Sequence, residues 1–341
     1  MQGLYDYRNE FIRWGDRHFD TVEADSYYGL KGMYVKAVHA LKEKRDDIAL
    51  TLFEVIIESP VKAPDVKNRA NLAMARLLFD QGMYEDALKF YNQVKQIDLS
   101  YEQAQLLLEK AWTLYYLQHY RKAMGLLHAL DAPSYKRFFV PDVYILRGLI
   151  FKDLCHFIES KRVVREFGFD YGRALDELKR RTPLENNRRV VDGATQDGKL
   201  ARRSAFLRSL QAQRERIEDY ESNWADVGLD THLRRLYDFE TREQARLWRL
   251  DFERLGQSTA QALLESEEQV NLLDYEVGLD IFKRIKAEST VQGIEERLVV
   301  PYDSKNVYYE FDTEYWNDEL HSFQYFINSR CIEAGKVEVK G

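Results

Sequence analysis

Apolar residues recur at helical spacing along most of this chain, and the clearest example lies within residues 68–98. There the apolar pattern breaks at Gly82 and resumes a few residues later, which predicts two amphipathic helices joined by a tight turn. Two small residues, Ala75 and Ala87, fall where these helices would cross closely and would allow their backbones to approach. The stretch therefore predicts a helical hairpin.

The hairpin pattern is repeated, more weakly before residue 68 and again twice after residue 98. The small residue of the second helix returns at intervals of 38, 36 and 37 residues, as Ala49, Ala87, Ala123 and Ser160. The turn glycine is kept only at Gly82, and the matching positions hold Lys44, Gln118 and Cys155. One hairpin cannot bury its apolar face alone, so about four degenerate repeats are expected to stack over residues 26–181.

These repeats resemble the tetratricopeptide repeat (TPR), a helix-turn-helix unit of about 34 residues. The resemblance is carried by a small residue in the first helix, the turn glycine, and small and aromatic residues in the second helix, namely Ala75, Gly82, Tyr84, Ala87 and Tyr91. It implies an α-solenoid in which the first helices line a protein-binding groove. The corresponding groove positions are Tyr34, Arg69, Arg76, Glu109, Trp112, Tyr115 and Tyr116. Burial of at least two of the last three aromatic residues between repeats is an equally good interpretation.

The remainder of the chain reads as further helix. Residues 1–25 are predicted to form a capping helix. Residues 182–198 are polar, contain two glycines and are predicted to form a linker. At the start of residues 199–290 one set of positions alternates four and three apart, as in the seam of a coiled coil, namely Phe206, Leu210, Gln213, Ile217, Tyr220 and Trp224. Three long helices are expected there. They could form an arm that self-associates or holds a partner helix, or pack as an intramolecular bundle, which is the favoured interpretation.

Residues 291–341 are rich in aromatic side chains and are expected to include a helix with Trp316, Leu320, Phe323 and Ile327 on one face. This segment could fold back onto the arm or the repeats, or offer a second interface through Tyr308, Tyr309, Trp316 and Phe323. The predicted fold class is therefore all-α: a TPR-like α-solenoid, then a coiled-coil-like arm of long helices, then an aromatic-rich C-terminal helix.

Composition limits the chemistry. The 341 residues carry a formal net charge of −7, which gives no reason to expect a nucleic-acid partner, and no apolar run is long enough to span a bilayer. The seven histidines are scattered, and no phosphate-binding glycine motif or nucleophile motif is present. We expect no catalytic residues, no metal and no cofactor, and hence not an enzyme. Cys155 and Cys331 could pair in an oxidising compartment, but filling apolar sites is the favoured interpretation.

A second resemblance adds a cellular setting. The runs VYILRGLIFKDLCHFIESKRVVREFGFDYGRALDELKRR and EFDTEYWNDELHSFQYFINSRC are similar to bacterial envelope TPR proteins, including those of the gliding-motility machinery. The similarity covers about residues 30–181 and 300–331. It implies a periplasmic or outer-membrane-associated scaffold that binds other proteins in a trans-envelope assembly, after removal of a signal or lipoprotein peptide. The alternative is a cytoplasmic TPR adaptor or regulator that binds a protein partner.

Overall fold

A computed structural model of the chain describes residues 2–95, 100–196, 198–219, 228–288 and 323–331. Across these ranges the regular structure is helical and there is no β-strand. The helices pack mainly as pairs of neighbours in the chain, which confirms the all-α class. The described residues form two compact units: one runs to Leu126 and includes Phe323–Tyr325, and the other starts at Leu127 and includes Phe326–Cys331.

The helices are bounded as follows. Helices α1 to α8 span Gln2–Arg8, Ile12–Asp20, Tyr27–Lys42, Asp46–Glu58, Pro64–Asp80, Tyr84–Gln93, Tyr101–Tyr116 and Tyr120–Leu130. Helices α9 to α13 span Asp142–Asp153, Phe157–Lys179, Arg188–Ala194, Gly198–Asp219 and Leu229–Glu288, with a 3₁₀ turn at Leu184–Asn186. Several starts follow from local sequence. The Ser26 and Ser100 hydroxyls accept hydrogen bonds from the backbone of Gly29 and Gln103, and Pro64 occupies the first turn of α5.

Five hairpins share one turn geometry. The residue two places after the first helix is in the left-handed region, with φ of 63° at Glu10, 58° at Lys44, 77° at Gly82, 60° at Gln118 and 60° at Cys155. The next backbone N–H donates to the carbonyl five residues earlier, as from Met83 to Leu78 and from His119 to Leu114. This is the Schellman motif of helix C-termini. The four turns that the sequence aligned therefore share a backbone conformation, although only one holds glycine.

The small residues of the repeat pattern lie in the core. Ala37, Ala49, Ala75, Ala87, Ala111 and Ala123 have no exposed surface, as predicted for close helix crossings. In the α9–α10 hairpin the equivalent positions are Gly148 and Ser160, and the Ser160 hydroxyl donates to the Gly148 carbonyl over 3.0 Å. A polar side chain is therefore accommodated in that crossing by a buried hydrogen bond.

The N-terminal prediction of one capping helix is wrong. Residues 2–20 form the two helices α1 and α2, which pack against each other. The backbone reverses between the two helices at Glu10, where φ is positive, and neither glycine nor proline marks that position. Trp14 is consequently exposed rather than in the core.

The segment 182–198, predicted to be a linker, is partly helical. It contains the 3₁₀ turn and helix α11, whose N-terminus is capped by the Asn187 side chain. Val190 and Ala194 of α11 form a small core with Leu200, Phe252 and Ala260. Two buried apolar side chains, one on each turn, suffice to dock this short helix, even though arginines at residues 188 and 189 make it look solvated.

Helices α12 and α13 pack against each other as an antiparallel pair. Arg203 and Lys199 near the start of α12 contact Asp251, whereas Arg214 near its end contacts Asp238. The prediction of separate helices after residue 228 is wrong, because α13 is one helix of 60 residues, roughly 90 Å long. It packs on α9 to α12 along its length, and this packing outweighs the roughly 1 kcal/mol cost of Gly256 in a helix interior.

The second half of α13 has one buried and one exposed side. The buried side faces the interior of the second unit and contains Leu263, Val270, Leu273 and Val277. The Leu273 side chain occupies the space that a Cβ on Gly148 would need. Ion pairs join the same helix to α9 and α10: Lys152 to Glu276, Lys161 to Asp274 and Lys179 to Glu267. The opposite side exposes Leu272, Tyr275 and Phe282.

The favoured interpretation of the cysteines is wrong, because Cys155 and Cys331 form a disulfide with their Cα atoms 5.0 Å apart. It joins the α9–α10 turn to residues 326–331, where the Arg330 N–H donates to the Leu154 carbonyl over 2.8 Å and His156 Nε2 contacts the Asn328 carbonyl at 2.7 Å. The helix predicted to include Phe323 and Ile327 is absent from 323–331, since these backbone groups bond to the hairpin instead.

Candidate functional site

A cavity of about 440 Å³ opens on α5, α6 and α7 in the first unit. Its size lies in the range of about 300 to 1,000 Å³ that is usual for ligand pockets. Four aromatic side chains line it, Phe79, Tyr91, Trp112 and Tyr116, and so do three charged ones, Arg76, Asp80 and Glu109. Aromatic surface and charge therefore meet in one concave site.

Two of the charged residues bind each other across helices α5 and α7. Arg76 donates from Nε to Glu109 Oε2 over 2.9 Å and from Nη2 to Glu109 Oε1 over 2.7 Å, a bidentate geometry. Burial, together with the charge and hydrogen bond of Glu109, raises the pKa of Tyr91 above its usual range. The opposite charges of Arg76 and Glu109 thus compensate each other, and the buried Tyr91 phenol lies behind the pair.

Asp80 differs from this pair. It is the last residue of α5, it is exposed, and its carboxylate has neither a hydrogen bond nor an ion pair with the residues that the structure describes. The described residues that line the cavity include one positive side chain, Arg76, and two negative ones, Asp80 and Glu109. With Arg76 and Glu109 neutralising each other, Asp80 leaves a single uncompensated negative charge at the rim.

The aromatic side chains of the cavity belong to a larger cluster. Tyr116 stacks on Tyr84 with ring centroids 4.7 Å apart and planes at 6°, and it also contacts Phe79 at 5.6 Å and Trp112 at 6.2 Å. These contacts fix the rings with little rotamer freedom. Nevertheless, 47% of Tyr116 is exposed, and Phe79 and Trp112 are half-buried. The cluster therefore offers a rigid and partly accessible aromatic surface.

Four of the seven predicted groove residues, Arg76, Glu109, Trp112 and Tyr116, line this cavity. The other three do not. Tyr34 packs on Phe53 at 5.9 Å, and burial raises its pKa; Arg69 is exposed on α5; and Tyr115 packs between Trp112 and Tyr120. The interpretation that at least two of the three α7 aromatics are buried is not what the structure has, since Trp112 and Tyr115 are half-buried and Tyr116 is exposed.

Sequence reasoning missed Phe79 and Asp80 as site residues. Both carried a usable signal, because they lie three and four positions after Arg76 and must share its side of α5. Tyr91 was identified only as a packing residue of the repeat. It is indeed buried, but it also forms part of the cavity wall.

Of the predicted second interface, Tyr308, Tyr309 and Trp316 lie outside the described residues. Phe323 lies beside α8 in the first unit, and its carbonyl oxygen occupies the space that a Cβ on Gly125 would need. The nearby Tyr325 N–H donates to the Arg121 carbonyl over 3.0 Å. Residues 323–325 therefore pack on α8.

A second, smaller cavity of about 170 Å³ lies in the second unit, between α10 and the loop after α8. The Tyr144 hydroxyl donates to Asp170 there, and the Arg189 guanidinium lies 5.2 Å from the centre of the Tyr171 ring. Burial raises the pKa of Tyr171 to about 12. The loop after α8 contributes Phe138 to this cavity, and the neighbouring Phe139 packs on Tyr171 with ring centroids 5.8 Å apart.

Within the described ranges no three His, Cys, Asp or Glu side chains are grouped as metal ligands. None of the helices described is both long and apolar enough to cross a bilayer. Searches with family models, among curated proteins and among solved structures find no match to this chain.

Proposed function

We propose that this protein is a non-enzymatic scaffold that binds a segment of another protein on the α5–α7 side of its first unit. The observation that carries the proposal is the cavity, which gathers four independently predicted groove residues from two helices of successive repeats. Rigid aromatic rings that are partly accessible offer large contact area at low entropic cost, as in the anchoring centres of protein interfaces.

We interpret the hairpins of residues 27–179 as degenerate TPR units. Three features support this interpretation: the spacing of the small residues, their complete burial, and a turn conformation common to all four hairpins. A TPR-like stack exposes the first helix of each unit to a ligand, and α5 and α7 are such first helices. The cavity therefore lies where a bound polypeptide would be expected.

We also propose a periplasmic or outer-membrane-associated location, within a bacterial trans-envelope assembly such as that of gliding motility. The Cys155–Cys331 disulfide supports an oxidising compartment and disfavours the cytoplasmic adaptor, because such bonds are rare where thiols are kept reduced. The test is fractionation of the source cells, with alkylation before and after reduction. Recovery in the cytoplasm with both thiols alkylated before reduction would overturn this location.

The binding proposal is tested by affinity capture from the envelope fraction with the intact chain, read out by quantitative mass spectrometry. Tyr116→Ala removes an exposed cavity ring, and Phe169→Ala, which removes an aromatic ring that is 90% exposed on α10, is the matched control. We expect at least one protein to be recovered several-fold less with Tyr116→Ala and unchanged with Phe169→Ala. Equal recovery by both variants, with unchanged circular dichroism, would move the interface elsewhere.

A further inference from the structure

The cavity has a charge preference that the scaffold role alone does not specify. Arg76 and Glu109 bind each other through two hydrogen bonds, so their opposite charges compensate each other and the pair presents little net charge to a ligand. Asp80 is the one cavity-lining charge with no hydrogen bond or ion pair among the residues described. A ligand group that enters beside Asp80 therefore meets a negative site.

The walls next to this carboxylate are aromatic. Phe79 precedes Asp80 in α5, and Trp112 and Tyr116 line the same cavity from α7. The face of an aromatic ring attracts cations, and Trp is the strongest such partner among the aromatic side chains. A carboxylate and several ring faces around one concave volume are thus complementary to one kind of side chain, a long aliphatic stem ending in a positive charge.

Other ligand chemistries fit less well. An apolar side chain that filled the cavity would take water away from the Asp80 carboxylate without giving it a partner, which costs free energy. An acidic side chain would be repelled by Asp80, and the charge of Arg76, the one cation among the described lining residues, is already balanced by Glu109.

From these observations we infer that the cavity of Arg76, Phe79, Asp80, Trp112 and Tyr116 binds a lysine or arginine side chain of a partner polypeptide. The inference rests on the proposed scaffold function and names the chemistry of its ligand. Asp80 pairs with the cationic head, and the Trp112 and Tyr116 rings contact it and its stem.

To test the inference, short random peptides displayed on phage are selected for binding to the intact chain. The peptide that binds most tightly is then synthesised. Two further peptides replace its shared basic residue by Gln or by Glu. Fluorescence polarisation measures all three against the wild-type chain, Asp80→Asn and Tyr116→Ala, with Asp25→Asn, an exposed loop carboxylate, as the matched control. Neutralising Asp80 should not impair folding, since a negative charge at a helix C-terminus is unfavourable.

The selected peptides are expected to share Lys or Arg, and Asp80→Asn should weaken the basic peptide by roughly three- to tenfold. Asp80→Asn should leave the affinity of the Gln peptide unchanged, and Asp25→Asn should change neither. Peptides that need Tyr116 but share an apolar or acidic residue would overturn the inference and leave the scaffold function standing. Failure to select any peptide that depends on Tyr116 would overturn the inference together with the scaffold function.

Discussion

The shared turn of the hairpins makes a quantitative prediction about stability. At Gln118 the backbone has φ of 60°, a region that costs a residue with a Cβ about 1 to 2 kcal/mol relative to glycine. Glycine in turn loses about 0.5 to 1 kcal/mol through the greater freedom of its unfolded chain. Gln118→Gly should therefore stabilise the first unit by about 0.5 to 1 kcal/mol.

Gly82 supplies the reverse experiment in the same unit. A Cβ on Gly82 would meet no atom within 4 Å, so Gly82→Ala changes only the strain at a φ of 77° and creates no clash. It should destabilise by the same amount, about 0.5 to 1 kcal/mol.

The assay is urea unfolding followed by far-ultraviolet circular dichroism, with Gln118→Ala as the matched control for loss of the glutamine side chain. We expect the unfolding midpoint to rise for Gln118→Gly, to stay near wild type for Gln118→Ala, and to fall for Gly82→Ala. If Gln118→Gly were no more stable than Gln118→Ala, the left-handed turn at this position, and with it the common hairpin geometry, would be refuted.

Two further predictions concern the second unit. Leu273→Ala should lower the free energy of unfolding by about 2 to 5 kcal/mol, because the side chain is 3% exposed and packs beside Gly148. Leu272→Ala is the matched control and should change it by only about 0.5 kcal/mol, because Leu272 is 58% exposed. Similar losses for both in urea unfolding would contradict the register of α13. Burial raises the pKa of Tyr171 to about 12, above its ordinary value of 10. Between these two pH values the folded state keeps the phenol proton of Tyr171, whereas the unfolded state releases it. The free energy of unfolding therefore has its full value below pH 10 and falls by roughly 2 to 3 kcal/mol as the pH rises to about 12. Tyr171→Phe should make the urea midpoint decline less steeply between pH 10 and about 12, while Tyr275→Phe, at an exposed position, should follow the wild type. An equal decline of the midpoint with pH in all three proteins would refute the burial of the Tyr171 phenol.

The local hairpins could be predicted because both of their determinants are local. Apolar spacing set the helix faces, and small residues such as Ala75 and Ala87 marked the crossings, which are fully buried in the structure. The reversal at Glu10 was missed because neither glycine nor proline marks it, and the left-handed backbone is there adopted by glutamate. The turns at Lys44, Gln118 and Cys155 also lack glycine, but their alignment with the Gly82 hairpin located them, whereas the Glu10 turn had no such copy to align with.

The predictions that failed depended on contacts between distant parts of the chain. Helix α11 is docked by Phe252 and Ala260, more than 50 residues later, so its polar composition alone suggested a linker. The same limit applies to the site. Spacing placed Trp112 and Tyr116 on one side of α7, but only the packing of α5 against its neighbours brings Asp80 into the same cavity.

The disulfide also constrains how this molecule can be made. Its two cysteines are separated by 176 residues, so Cys155 is translated long before its partner exists. During that interval an oxidising environment offers this thiol only foreign partners, such as glutathione or another nascent chain. Correct maturation therefore requires either that oxidation waits until residue 331 has been made or that an isomerase removes the wrong bonds afterwards.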